Sequence, residues 1–160
     1  MTLEQELKLP RPMDSINHET LLSIVRTNAL IMKYADRFFS PYGVTDVQFN
    51  ILMILHSYAF EDGMNQQELS QKLVVSKSNM VGLVDRLERN QYVVRKSKEG
   101  DRRSNQVFLT AKGKKLVEKI HDLYFKKVDN LINSLSAQEK KIIITGTEKI
   151  RQFLRKRSGE

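Results

Sequence analysis

Two short stretches of this 160-residue chain carry side chains whose types and spacing could do chemistry. The first is Ser76-Lys77-Ser78-Asn79, followed at helical spacing by Val81, Gly82 and Arg86. Small, polar and basic side chains at the start of a helix can approach base edges and phosphates closely, helped by the helix dipole. The second stretch is Lys96, Lys98, Arg102 and Arg103, four cations within eight residues. Such a cluster suits the enhanced negative potential of a narrow DNA minor groove. Asp101 among them would repel phosphate; it is accounted for if it accepts a hydrogen bond from an arginine or from the loop backbone. The competing reading of both stretches is an ordinary solvated surface of mixed charge.

Other chemistries have little to work with. The histidines are His18, His56 and His121, none within three or four residues of another, and there is no cysteine. A transition-metal site would therefore need tertiary assembly, and thiolate ligands, disulfides and a cysteine nucleophile or redox sensor are excluded. No serine lies in a nucleophile elbow, and no glycine-rich loop is arranged to cradle phosphate. The chain reads as non-enzymatic, without a cofactor or metal.

The elements that must position these residues follow from hydrophobic periodicity and capping signals. Leu21, Ile24, Val25, Ile31, Met32, Ala35, Phe38 and Phe39 predict an amphipathic helix over 17–40, ended by Pro41 and Gly43. Thr45 with Gln48 forms a capping box for a second helix to about Tyr58, whose Phe49–Leu55 run is apolar on most sides, as in a central core helix. Asn65 with Glu68 caps a short helix to Leu73, and after a tight turn at Val74-Val75, Ser76 caps the next. That helix runs to about Arg89 with Met80, Leu83, Val84 and Leu87 on one face. Ser78, Gly82, Asp85 and Arg89 fall opposite, and the mid-helix glycine reads either as a close approach by DNA or by another backbone, or as merely tolerated. Residues 92–97 and 106–109 are β-rich around the polar stretch 98–105, which predicts a hairpin with a long charged tip. Thr110 caps a long helix to Asn133, and Ser136 with Glu139 opens a final one. The fold class is mostly α with a small β-wing, and residues 65–110 have the layout of a winged helix-turn-helix, which lays a helix in the DNA major groove.

Charge is distributed to match. The net +8 resolves into −3 over residues 1–64, +5 over 65–113 and +6 over 114–160. A basic surplus that begins at the helix-turn-helix points to a polyanionic partner; the C-terminal surplus reads equally as flanking phosphate contacts or as solvated helix faces. The longest apolar run, Ile51–Leu55, is far short of the roughly 20 residues that cross a bilayer. With no secretory signal visible at the start, the expected location is cytoplasmic, with no membrane partner.

The stretch QQELSQKLVVSKSNMVGLVDRLERNQYVVRKSKEGDRRSNQVFLT resembles the MarR family of bacterial transcriptional regulators. The wing signature Asp-x-Arg, then five residues and Leu-Thr, falls on Asp101, Arg103, Leu109 and Thr110, and Leu83-Val84-Asp85-Arg86-Leu87-Glu88 matches the family's pattern upstream. Two positions depart from it. Val74 stands at a turn position where glycine is common, and Gln91 where glycine often follows the recognition helix, which leaves Asn90 to supply a left-handed turn.

The resemblance implies a homodimer held by N- and C-terminal helices, on double-stranded DNA with a pseudo-palindromic operator. Arg103 would enter the minor groove with Asp101 as its support. The implied organisation is an irregular N-terminal arm at 1–14, dimerisation and core helices at 15–64, the DNA-binding lobe at 65–113 and C-terminal dimerisation helices at 114–160. It also implies a small aromatic or anionic effector between the lobes, with Met32, Arg37, Phe38, Phe49, Met53 and His56 as candidate lining residues. The same Met and Phe stripe reads as ordinary core. The expected function is a sequence-specific transcriptional regulator, a repressor by steric exclusion of polymerase. The competing class is a winged-helix interaction module docking an acidic protein.

Overall fold

A computed structural model of the chain describes residues 2–11, 13–59, 62–73, 76–98 and 101–158; the side chains of residues 77, 98, 101–105 and 158 lie outside the described set. The chain divides into two units, residues 1–114 and 115–160.

Within the first unit, α1 (Leu3–Leu7), α2 (Ile16–Phe39) and α3 (Asp46–Tyr58) lead into β1 (Met64–Asn65), α4 (Gln66–Leu73) and α5 (Lys77–Arg89). A hairpin of β2 (Val93–Lys98) and β3 (Asp101–Leu109) follows, and α6 (Ala111–Ile132) begins at the unit's end. The expected mostly helical fold with a β-wing is the one observed. Thr45 and Gln48 cap α3 reciprocally at 3.2 and 2.9 Å, and Asn65 and Glu68 do the same ahead of α4 at 2.9 and 3.0 Å. Each box satisfies backbone N–H groups that a helix start leaves orphaned.

The core sits around α3, where Phe49, Ile51, Leu52 and Leu55 are buried. This helix packs on α2, α4, α5 and β3. The face of α5 predicted to turn inward does so: Met80, Leu83, Val84 and Leu87 are all buried.

Three details differ from the sequence reading. The N-terminal arm, expected to be irregular, contains the five-residue α1, closed by a Thr2–Gln5 capping box. Arg26 in α2 reaches this short helix by an ion pair to Glu6 at 2.6 Å. The hairpin is longer than expected, because β3 begins at Asp101 and takes in residues assigned to the tip. A register shift accommodates it, Ser97 facing Asn105 and the next residue, Lys98, facing Asp101. Finally, the sheet has three strands in the order β1-β3-β2, with Met64 opposite Val107 and Asn65 opposite Gln106. Two residues carry no period-2 pattern, so β1 exists only through its partner.

The second unit holds the rest of α6 and α7 (Ala137–Ser158). The expected Ser136–Glu139 capping box opens α7: the Ser136 hydroxyl donates to Glu139 Oε2 at 2.7 Å and its backbone N–H at 2.8 Å. These donors, the hydroxyl first, hold the Glu139 carboxyl below the usual glutamate range.

Candidate nucleic-acid interface

The first turn of α5 is built as the sequence suggests. Ser76 is its N-cap, accepting the Asn79 N–H at 3.4 Å, and its hydroxyl lies 3.3 Å from that of Ser78. Ser76, Ser78 and Asn79 are exposed, so the helix presents small polar groups at its N-terminus. Further along, Val81 is 46% exposed, and Arg86 lies back along the helix with Nε donating to the Gly82 carbonyl at 3.1 Å. The Val74-Val75 turn lies outside the described residues. So do the side chains of Lys77, Lys98, Asp101, Arg102 and Arg103, whose backbones open α5, end β2 and open β3 respectively.

What holds the wing to this helix is Arg95, a residue the sequence reading passed over. From β2 its Nη1 donates to Glu88 Oε2 and its Nη2 to Asp85 Oδ1, both at 2.5 Å. Its backbone N–H donates to Glu88 Oε1 at 2.8 Å. Burial works against the guanidinium charge, but the hydrogen bonds to Asp85 and Glu88 outweigh it and hold Arg95 above its ordinary pKa. Asp85 and Glu88, three residues apart on one helix, were the available signal: two carboxylates on adjacent positions of one face await a cation.

The far end of α5 is fastened as well. Asn90 has φ −80°, and Gln91 itself takes the left-handed conformation, φ 62°, correcting the expectation that Asn90 would. The Tyr92 N–H reaches the Leu87 carbonyl at 2.9 Å and the Gln91 N–H reaches that of Glu88 at 2.8 Å. This is the Schellman pattern, which needs its left-handed residue one position past the cap. Thr110, capping α6, donates its hydroxyl to the Gln91 carbonyl at 2.7 Å and accepts the Gly113 N–H at 3.0 Å. Lys112 Nζ donates to the Asn90 carbonyl at 2.9 Å and lies 5.0 Å over the Tyr92 ring. The C-terminal half of α5 is thus fixed to the elements that follow it.

The six candidate effector residues differ widely in exposure. Phe49 is fully buried against Phe39, ring centroids 5.0 Å apart, whereas Met32 and Arg37 are exposed and Phe38 and Met53 half-buried. His56 lines a cavity of about 110 Å³ with Leu55, Leu109, Thr110, Ala111 and Lys114. Ligand pockets ordinarily measure roughly 300–1,000 Å³. Among the described residues, no group of three or more His, Asp or Glu side chains could hold a metal ion, and no helix is long and apolar enough to cross a membrane.

Comparison with known proteins adds an independent line. Residues 44–104 match the MarR family model. The HTH-type transcriptional repressor YetL of Bacillus subtilis is 27% identical over 131 residues, 82% of this chain and 78% of that protein. The crystal structure of a MarR transcriptional regulator from Methanosarcina mazei Go1 aligns with a TM-score of 0.66 at 31% identity, covering 83% of this chain and 94% of that one. The S. aureus MepR–DNA complex aligns with a TM-score of 0.74, covering 89% of this chain and 99% of that one; at 22% identity it speaks to the fold.

Proposed function

The chain belongs to the MarR family of transcriptional regulators, which are not enzymes, and from that premise we propose that it binds pseudo-palindromic operators as a homodimer and represses transcription from them. The first turn of α5 enters the major groove, where Ser76, Lys77, Ser78, Asn79, Val81, Gly82 and Arg86 face bases and phosphates. The wing lies over the adjacent minor groove, with Lys98 and Arg102 on the backbone, Arg103 inserted and Asp101 supporting it. In the dimer, two copies of α5 meet half-sites about 10 bp apart, one turn of duplex. Occupancy excludes polymerase, and a small aromatic or anionic effector releases it by favouring a dimer whose spacing no longer fits.

The observation that carries this reading is the exposed, small and polar N-terminal turn of α5, a helix whose C-terminal half Arg95 ties to β2 of the basic wing. The assignment of residues 15–64 and 114–160 to dimerisation rests on apolar side chains left uncovered by the chain itself. On α2, Ile16, Leu21 and Val25 are 72, 58 and 56% exposed, and on α7 Ile142 and Phe153 are 63 and 58% exposed. Apolar surface of this extent on one chain is what a second copy buries.

The test is a gel shift with DNA from upstream of the chain's own gene, with unrelated DNA as competitor. The expected result is a sequence-selective shift that weakens steeply with salt, as phosphate contacts release counterions. Absence of a selective shift at moderate salt would overturn the reading in favour of a module that docks an acidic protein.

A further inference from the structure

The outward face of α5 contains a feature that folding does not account for. Ser78, Val81, Gly82 and Asp85 stand at i, i+3, i+4 and i+7, so they form one contiguous patch. Its centre is apolar: Val81 is 46% exposed. Beside it Gly82 leaves a gap. Among the described residues a Cβ added there would meet only Arg86 Nη2 at an ordinary 3.7 Å, so none of these neighbours demands glycine. A glycine in mid-helix nevertheless costs about 1 kcal/mol relative to alanine. Both charged neighbours of the gap have partners within the chain, although the Arg86 guanidinium must swing off Gly82 before a base can reach it. Asp85 is engaged by Arg95 at 2.5 Å, and Arg86 lies against the Gly82 carbonyl at 3.1 Å.

We propose that Val81 and the gap at Gly82 form a seat for the C5-methyl group of a thymine in each operator half-site. Among the four bases thymine alone presents an apolar group in the major groove. A branched apolar side chain standing by a Cβ-free stretch of helix offers that methyl both a contact and room for the backbone to come close. The polar first turn then fixes register on the duplex, and this seat contributes base choice. The inference rests on the reading of α5 as the recognition helix and deepens it.

The experiment begins with the full chain and a pool of randomised duplexes. If no sequence is enriched, the chain does not read DNA, and this proposal falls together with the proposed function. If a half-site is enriched, each of its thymines is replaced singly by deoxyuridine, which removes only the methyl group. One thymine per half-site should then prove sensitive, binding about fourfold weaker, the weight of one buried methyl group. Val81→Ala should bind the thymine and uracil duplexes equally. Gly82→Ala should raise the melting temperature, through better helix propensity, while weakening binding to the selected duplex; a merely structural glycine would not split those two readouts. Selective binding with no methyl-sensitive thymine would overturn the proposal and leave the function standing. So would Val81→Ala retaining the difference, or Gly82→Ala binding as tightly as the parent.

Discussion

Gly113 and Tyr92 approach so closely that a Cβ on Gly113 would stand 2.1 Å from the Tyr92 carbonyl oxygen. The obstacle is backbone, so no rotamer change relieves it. That carbonyl also accepts the Thr110 N–H at 3.1 Å, within the knot that joins the end of α5 to the start of α6. Gly113→Ala should therefore prise this junction apart and lower stability by about 1–3 kcal/mol, the usual cost of overpacking. Urea denaturation of the variant checks it; an unchanged midpoint would mean that the two elements can separate freely.

The opposite sign is expected two residues past the end of α5. Gln91 holds φ 62°, a conformation costing an L-residue about 1–2 kcal/mol and glycine almost nothing. Glycine also loses more chain entropy on folding, by about 0.4–1 kcal/mol. Gln91→Gly should thus stabilise the protein by about 0.5–1 kcal/mol, the difference between those two effects, and a β-branched residue there should destabilise it. Thermal melts of Gln91→Gly and Gln91→Val test both directions; equal melting temperatures would contradict them.

These two sites show where reading the sequence runs out. The helices that place the candidate interface were legible because their start signals are local chemistry at fixed spacing: Thr45 with Gln48, Asn65 with Glu68, Ser76 with Asn79, Ser136 with Glu139. The buried stripe Met80, Leu83, Val84 and Leu87 was legible because burial follows the helical period. Arg95 was not, since its carboxylates lie seven and ten residues away on another element. Nor was the start of β3 at Asp101: polar residues join a strand when a partner strand takes their backbone groups, and no apolar alternation marks the event. Gln91 in place of Asn90 reflects hydrogen-bond geometry, because the Schellman bonds from Gln91 and Tyr92 place the left-handed residue one position past the cap, whatever its side chain.

Replacing Arg95 should separate helix from wing. Arg95→Met keeps much of the side chain's length but leaves Asp85 and Glu88 without their donor. Because those carboxylates are 48 and 36% exposed, water replaces part of what is lost, and the expected cost is about 1–2 kcal/mol. The pH dependence has a definite sign. A guanidinium pKa raised by folding gives stability that is complete below the ordinary arginine value and is lost only as pH rises through the folded one. The penalty of Arg95→Met should therefore be the same at about pH 6 and about pH 9. A penalty that vanished at the higher pH would show that the tie depends on another titrating group.

Affinity for DNA should distinguish the wing cations from one another. If Arg103 enters the minor groove, Arg103→Ala should cost about 1–3 kcal/mol on the selected operator and relax preference at the base pairs beneath the wing. If Lys98 touches phosphate, Lys98→Ala should weaken all duplexes alike and reduce the salt slope by about one. The two variants have the same charge change, so net electrostatics cannot explain a difference between them. Titrations over a range of salt on the selected operator and on a scrambled duplex separate the cases, with circular dichroism as the check on folding. Operator affinity unchanged in a folded Arg103→Ala protein would remove Arg103 from the groove.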